Sequence, residues 1–114
     1  MAKILLTGGS GFIGTNLLDK LIKDNHNILN IDIKEPKNKD HIDYWVDIDI
    51  TDFTSFKKTV EIFSPDYIIH LAARTDLDGI SLADYNTNTL GVENLMNIVK
   101  SLKSLKKVLI TSSM

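Results

Sequence analysis

Cysteine is absent from this chain of 114 residues, and so are an excess of charge of one sign and an apolar run of bilayer length. Without thiols, disulfides and thiolate chemistry are excluded, which suits a reducing compartment. A net charge of -2 provides no basic stripe, so we expect no nucleic-acid partner. The first residues lack the apolar region of a signal peptide, so we expect no membrane association and a cytoplasmic location.

Short apolar runs alternate with amphipathic stretches over residues 1–114, which predicts one domain. Strands are predicted at residues 3–7, 27–33, 44–48, 67–71 and 106–111. Helices are predicted between the first two strands, at 52–63 and at 81–105. This order predicts an α/β fold with right-handed crossovers and a doubly wound parallel sheet, which we expect to be truncated after about five strands.

The first two helices have defined apolar stripes that we expect to face the core. In the first helix these residues are Ile13, Leu17, Leu18, Leu21 and Ile22. The second helix should begin at Asp52, which can cap it, and end at Ser64 and Pro65. Its stripe consists of Phe53, Phe56, Val60 and Phe63. The polar stretch 34–40 predicts a loop.

A glycine-rich turn follows the first strand, with the sequence Thr-Gly-Gly-Ser-Gly-Phe-Ile-Gly at residues 7–14. Gly11 and Gly14 fit G-x-G-x-x-G when Gly9 comes first, or G-x-x-G-x-x-G when Gly8 does. One glycine permits a tight turn, Gly11 lets the backbone approach a pyrophosphate, and Gly14 lets the helix lie close to the strand. The pyrophosphate would lie at the helix N-terminus, where free N–H groups favour anions. A purely structural turn is the alternative.

Asp32, at the end of the second predicted strand, supports dinucleotide binding. Its spacing from the turn is near the ~20 residues expected of the acid that holds the ribose hydroxyls. A carboxylate there would repel a 2′-phosphate, which favours NAD over NADP, although the nearby Lys34 weakens the argument. A solvated acid at a strand end is the other interpretation of Asp32.

Five separate segments resemble the extended short-chain dehydrogenase/reductase family, the group that contains the NAD-dependent nucleotide-sugar epimerases and dehydratases. They are residues 7–14, Asp-Ile-Thr-Asp at 49–52, His-Leu-Ala-Ala at 70–73, Asn-Thr-Leu-Gly-Val-Glu-Asn-Leu at 88–95 and Thr-Ser-Ser at 111–113. They occur in the family's order and cover nearly the whole chain. The resemblance implies that residues 1–114 form an N-terminal NAD(P)-binding Rossmann region, with the C-terminal substrate-binding part absent.

The resemblance also implies which residues bind the cofactor. Phe12 and Ile13 would present their backbone to the pyrophosphate, and Asp49 and Ile50 would border the adenine. Asn88 would face the cofactor from the long helix, or it is simply a polar helix position. The residues implied for the nicotinamide side of the cleft and its rim are Leu71, Ala72, Ala73, Arg74 and Thr75.

Catalytic residues are largely missing from the chain. In the family, a Ser or Thr after the fifth strand and a Tyr-x-x-x-Lys pair complete hydride transfer to and from the nicotinamide. Ser113 aligns with the hydroxyl residue, or it is a serine without a role. None of the tyrosines is followed four positions later by Lys. We therefore expect residues 1–114 to be an inactive amino-terminal portion of a longer enzyme.

Met114 stands where the dehydratase branch has an acidic residue, so the resemblance favours epimerase or reductase chemistry over dehydration. The leading hypothesis is the NAD-binding portion of an NAD-dependent nucleotide-sugar oxidoreductase of the epimerase/dehydratase family, with epimerase favoured over dehydratase. Two alternatives remain: a non-catalytic NAD(H)-sensing or scaffold protein, and a carbonyl reductase of the same family. The helix at 81–105 has more apolar surface than one sheet-facing stripe needs, which fits either a homodimer or burial under a further helix.

Other polar residues have simpler interpretations. Asp47 and Asp49 alternate on one strand face, but no further ligand converges on them, so we predict no metal site. His70 is interpreted as a structural histidine, and His26 and His41 as loop residues. Gly91 would let the long helix approach the sheet closely despite its unfavourable helix propensity.

Overall fold

The computed structural model describes residues 2–71 and 82–110, with side chains from residue 89 onward in the last helix. Five strands are present: β1 (Lys3–Thr7), β2 (Asn27–Ile31), β3 (Trp45–Val46), β4 (Tyr67–His70) and β5 (Lys107–Ile110). The helices are α1 (Phe12–Lys23), α2 (Phe53–Phe63) and α3 (Leu82–Val99), with a 3-10 helix at Lys39–Tyr44. No helix in the described ranges is long and apolar enough to cross a membrane.

The strands form one parallel sheet in the order β3-β2-β1-β4-β5. The chain builds outward from β1 through β2 to β3, then crosses through α2 to β4 on the other side of β1. The strand order therefore reverses between β1 and β4, and in open α/β sheets ligands bind beside the carboxyl ends of strands at such a point. The predicted α/β fold with a doubly wound parallel sheet is confirmed.

Two apolar clusters cover the two faces of the sheet. On one face α2 and α3 pack against the sheet through fully buried residues that include Leu5, Ile68 and Phe56. On the other face Leu18 of α1 packs against Leu6 of β1 and Ile28 of β2. Because alternate residues of β1 point to opposite faces, the continuous apolar run of that strand serves both clusters.

The helix signals in the sequence were mostly correct at the helix ends. Asp52 caps α2 by accepting a hydrogen bond from the Ser55 N–H (3.3 Å), and Ser64 ends that helix in a left-handed conformation at φ 53°. The predicted stripes were wrong at their first positions, because Ile13 and Phe53 lie in the first turns and are exposed by 64% and 38%. The long helix stops at Val99 rather than at residue 105.

The region after β2 differs most from the sequence prediction. β2 ends at Ile31 and β3 has two residues, both shorter than expected. Part of the predicted loop and the start of the predicted third strand form the 3-10 helix instead, which Asn38 caps through the Asp40 N–H (2.9 Å). His41, interpreted from the sequence as a loop residue, lies fully buried in that helix.

At the amino-terminal edge of the sheet, Asp66 joins three strands. Its carboxylate accepts from the Lys3 N–H (3.0 Å), its own N–H donates to the Lys3 carbonyl (2.8 Å), and its carbonyl accepts from the Lys106 N–H (2.7 Å). The Lys3 ammonium adds a bond to the Phe63 carbonyl (3.1 Å). This edge is fixed by a compact set of hydrogen bonds opposite the edge where the glycine-rich turn lies.

Candidate functional site

The carboxyl edge of the sheet brings the glycine-rich turn together with the ends of β2 and β4. β1 ends at Thr7, in register with Ile31 of β2 and His70 of β4. The chain then turns through residues 8–11 into α1. The glycine-rich turn, Asp32 and Leu71 therefore follow the carboxyl ends of adjacent strands where the strand order reverses.

Gly8 makes the tight turn, since its φ of 76° lies in the left-handed region that only glycine adopts without strain. Gly14 serves the close approach of helix and loop, because a Cβ on it would lie 2.4 Å from the Gly9 Cα. Gly9 is required by packing as well, because a Cβ on it would lie 2.4 Å from the Asn30 Oδ1, so both spacings open in the sequence consist of glycines that have a structural role or face open space.

Gly11 differs from the other glycines of the turn. It is exposed, its φ of -79° and ψ of -177° suit any residue, and a Cβ on it would meet nothing closer than the Gly8 carbonyl oxygen at 3.7 Å. The fold therefore does not require glycine at this position. The space above Gly11 is open to a ligand.

The N-terminus of α1 leaves backbone donors beside Gly11. The first intrahelical bond runs from the Thr15 N–H to the Gly11 carbonyl (2.8 Å), and no side chain caps the helix. The N–H groups of Phe12, Ile13 and Gly14 therefore have no acceptor within the helix. Phe12 and Ile13 have side chains exposed by 85% and 64%, so their backbone lies at the surface. This arrangement suits an anion.

Two side chains of the β2 end hold the turn in place. The Oδ1 of Asn30 accepts from the Gly9 N–H (2.8 Å), and its Nδ2 donates to the Ser10 Oγ (3.3 Å). The Oδ2 of Asp32 accepts from the Ser10 N–H (3.0 Å). Sequence analysis singled out Asp32 and missed Asn30, although a polar residue inside an apolar strand was a signal that could have found it.

Asp32 lies half-buried between the turn and the chain that follows β2. Its Oδ1 accepts from the backbone N–H of Lys34 (3.0 Å), and its carbonyl accepts from the indole N–H of Trp45 (2.8 Å). The carboxylate is thus fixed in direction by two backbone donors, one on each oxygen.

Asp49 and Ile50 follow β3 and have different environments. Asp49 is exposed and accepts from the Thr51 N–H (2.9 Å) and Oγ1 (2.8 Å). Ile50 is buried under Gly91 of α3, and its carbonyl accepts from the Nδ2 of Asn94 (2.9 Å). A Cβ on Gly91 would lie 2.4 Å from the Ile50 Cδ1, so this glycine lets α3 lie close to the chain after β3. Any contact of Ile50 with a ligand would come from its backbone.

Thr7 and His70 connect the ends of β1 and β4. The Thr7 Oγ1 and the His70 Nδ1 are 2.5 Å apart, and both residues are buried. Burial lowers the pKa of His70 to about 4, so its imidazole is neutral at neutral pH. Next to it, the N–H of the half-buried Leu71 donates to the Thr7 carbonyl (2.8 Å).

Several predicted site residues lie outside the described residues: Ala72, Ala73, Arg74, Thr75, Ser113 and the side chain of Asn88. Within the described ranges, no group of three or more His, Asp or Glu side chains could hold a metal ion. The buried His41 donates from its Nε2 to the Asp19 Oδ1 of α1 (2.7 Å). His26 is half-buried, and its Nδ1 accepts from the Ala2 N–H (3.2 Å).

Comparison with known proteins places these features in a family. The chain is 35% identical over 106 residues to GDP-6-deoxy-D-talose 4-dehydrogenase of Aggregatibacter actinomycetemcomitans, covering 91% of this chain and 32% of that protein. It is 33% identical to dTDP-glucose 4,6-dehydratase of Haemophilus influenzae, covering 89% of this chain and 34% of that one.

Solved structures agree with the sequence comparisons. UDP-glucose 4-epimerase of Thermotoga maritima superposes with a TM-score of 0.84 at 27% identity, over 96% of this chain and 37% of its own. The chain thus spans about a third of the length of each of these relatives. The model of the NAD dependent epimerase/dehydratase family matches residues 4–114, and the chain belongs to that family.

Proposed function

We propose that this chain binds NAD at the carboxyl edge of β1 and β2 and is the cofactor-binding part of a nucleotide-sugar epimerase or dehydratase. The observation that carries the proposal is Gly11: the fold leaves it exposed and free of steric demand, beside backbone donors with no acceptor in the helix. A ligand that needs the backbone itself explains glycine there. The family description, which specifies NAD, agrees with this ligand.

The pyrophosphate of the dinucleotide would occupy the N-terminus of α1. The N–H groups of Phe12 and Ile13 would donate to its oxygens. The helix dipole adds an attraction equivalent to about half a positive elementary charge at the N-terminus. Gly11 would leave room for the phosphates to come within hydrogen-bonding distance of these N–H groups.

The adenosine ribose would bind at Asp32. An ionised carboxylate has about four acceptor sites, and the two backbone donors on Asp32 leave acceptor capacity for ribose hydroxyls. A 2′-phosphate would meet a negative charge already fixed by the turn, so NAD is favoured over NADP. The Lys34 contact to Asp32 is through its backbone and does not neutralise the carboxylate.

The proposed substrate class comes from relatives that are about three times as long as this chain. Their names specify GDP-, dTDP- and UDP-linked sugars, so a nucleotide sugar is the proposed substrate of the complete protein. Hydride transfer at a sugar carbon would then need a Tyr-x-x-x-Lys pair supplied from outside residues 1–114, with Ser113 as the hydroxyl residue. Met114 favours epimerisation over dehydration, and a carbonyl reductase of the same family is an alternative.

A non-catalytic NAD(H)-sensing or scaffold protein is a second proposal. It needs the binding turn alone, because holding a dinucleotide does not itself require a Tyr-x-x-x-Lys pair. The two proposals differ in one observable: the sequence contiguous with residue 114, where the enzyme requires that pair. A homodimer through the helix predicted at 81–105, in which Leu90 and Met96 are each 42% exposed, and a cytoplasmic location remain predictions.

Calorimetric titration with NAD tests the cofactor proposal. Gly11→Val should weaken NAD binding at least tenfold, while the free energy of unfolding changes by about 1 kcal/mol or less, because a Cβ at Gly11 meets nothing closer than 3.7 Å and the main structural cost is a poorer N-cap residue. Thr54→Val, which places the same side chain in the first turn of α2, should leave NAD affinity unchanged. Equal affinity in Gly11→Val and the unaltered chain, or no binding by the unaltered chain, would overturn the proposal.

A further inference from the structure

Three consecutive N–H groups of the glycine-rich turn are bonded to β2 and the residue after it. Gly8 donates to the Ile31 carbonyl (2.9 Å), continuing the ladder of the sheet. Gly9 donates to the side chain of Asn30, and Ser10 to that of Asp32. The position of the turn is therefore set by β2 before any ligand binds.

The packing of the sheet does not require a polar side chain at position 30. It is fully buried and lies opposite Leu6 on the face of the sheet that packs against α1. An apolar side chain of similar size could pack there, whereas a buried amide is costly unless its hydrogen bonds are made. Both of its bonds go to the turn, at Gly9 and Ser10.

The orientation of the Asn30 amide follows from these partners. The Gly9 N–H can only donate, so it must face the Oδ1, and the Nδ2 then donates to the Ser10 Oγ. Gly9 also touches this amide sterically, since a Cβ on Gly9 would lie 2.4 Å from the Oδ1. Asn30 and Gly9 therefore constrain each other by hydrogen bond and by volume.

We propose that Asn30 is a positioning residue for the dinucleotide, which preforms the pyrophosphate-binding turn through Gly9 and Ser10. The inference rests on the proposed function, because it names the side chain that prepares that site. A turn already held in its binding conformation loses less conformational entropy when the ligand binds, so affinity rises without a new ligand contact.

The test compares Asn30→Val with Asn27→Val, an identical substitution at an exposed position of the same strand. Adenosine and ADP are titrated by NMR, since only ADP presents a pyrophosphate to the turn. Asn30→Val should weaken ADP at least tenfold and adenosine less than twofold, while Asn27→Val changes neither. Unchanged ADP affinity in Asn30→Val, or an equal loss for both ligands, would overturn the role of Asn30.

A pair of size-changing substitutions at Gly9 and Asn30 provides a second test, which needs no ligand. Gly9→Ala should lower the thermal midpoint of unfolding strongly, because its Cβ would collide with the Asn30 amide. In an Asn30→Ala background the space is free, so the same Gly9→Ala change should cost much less. The same cost in both backgrounds would contradict the mutual constraint on which the proposal depends.

The outcomes separate this inference from the proposed function. If the unaltered chain binds neither NAD nor ADP, both are overturned. If it binds ADP and Asn30→Val binds it equally well, the cofactor proposal stands and only the positioning role of Asn30 fails.

Discussion

The half of the sheet that contains β1 and β2 differs sharply from the half that contains β4 and β5. Leu5 and Leu6 are fully buried between helices on both faces, whereas Leu109 and Ile110 of β5 are exposed by 53% and 42%. On the α1 face, the described residues leave a groove of about 220 Å³ between β1, β4 and β5.

The two halves of the sheet differ in how completely the described residues cover them. Buried polar groups occur beside the covered half, and there they are bonded to the glycine-rich turn, which needs a fixed position to bind a ligand. On the β5 side, the described residues are mainly apolar, and the Lys106 N–H bond to the Asp66 carbonyl lies at the opposite, amino-terminal edge of the sheet. The side-chain hydrogen bonds that hold the glycine-rich turn thus come from the β2 side of the sheet, and four predictions test the contrast between the halves.

Truncating one strand leucine in each half should give the largest difference. Leu5→Ala should lower the free energy of unfolding by about 2–5 kcal/mol, since it leaves a cavity between packed helices. Leu109→Ala should cost less than about 1 kcal/mol, because half of that side chain is already in water. Urea denaturation of both variants checks this, and similar costs would show that the β4–β5 half is equally well packed.

Acid should weaken the junction of the two halves at Thr7 and His70. The pKa of His70 falls from 6.5 in the unfolded chain to about 4 in the fold, so protons bind the unfolded state first as the pH drops. The neutral imidazole makes its full contribution to the free energy of unfolding above pH 6.5. As the pH falls from 6.5 toward 4, the free energy of unfolding decreases by about 3 kcal/mol.

Comparison with His70→Asn isolates that contribution from the other histidines. Between pH 7 and pH 4 the unaltered chain should lose about 3 kcal/mol more stability than the variant, as measured by denaturation at each pH. Parallel stability curves would show that His70 is not the group responsible.

Two glycines at close contacts of helices, Gly14 of α1 and Gly91 of α3, should respond differently to alanine. Gly14→Ala should cost about 1–3 kcal/mol or more, because its Cβ would meet the backbone of Gly9, which cannot move aside. Gly91→Ala meets the end of the Ile50 side chain, which can shift, and gains about 1 kcal/mol of helix propensity. Thermal unfolding of the two variants distinguishes them, and an equal loss would contradict the assigned contacts.

The smallest effect is expected at the start of α2, the crossover that joins the two halves. Asp52→Ala removes the bond to the Ser55 N–H and should cost about 1 kcal/mol. Asp52→Asn keeps an oxygen acceptor at the cap and should cost only a few tenths of that in chemical denaturation. A large loss in Asp52→Asn would indicate that the charge, rather than the hydrogen bond, stabilises the helix.

Sequence reasoning succeeded where a local pattern decides the structure. The apolar runs of β1 and β4, the cap at Asp52 and the glycine-rich turn after β1 each depend on neighbouring residues, and the sequence predicts each of them. It failed where distant residues decide, as at the amide of Asn30, whose partners are about twenty positions away. The 3-10 helix was missed for the same reason, since His41 is buried there through its contact with Asp19 of α1.

The same limit applies to the glycines. The sequence assigned roles to Gly11 and Gly14, but only the structure separates a glycine that the backbone conformation requires from one that the fold would let a larger residue replace. Spacing alone contains no information about the space above each Cα.

The hydrogen bonds that Asp66 makes have a practical consequence for single-molecule work. They fix the sheet edge at the far end of the strands, roughly 13–16 Å from the glycine-rich turn for strands of four to five residues. The exposed Lys103 precedes β5 near that edge. In a chain without cysteine, Lys103→Cys would create a unique attachment point for a dye or a surface tether, leaving the opposite edge clear for coenzyme to diffuse in and out.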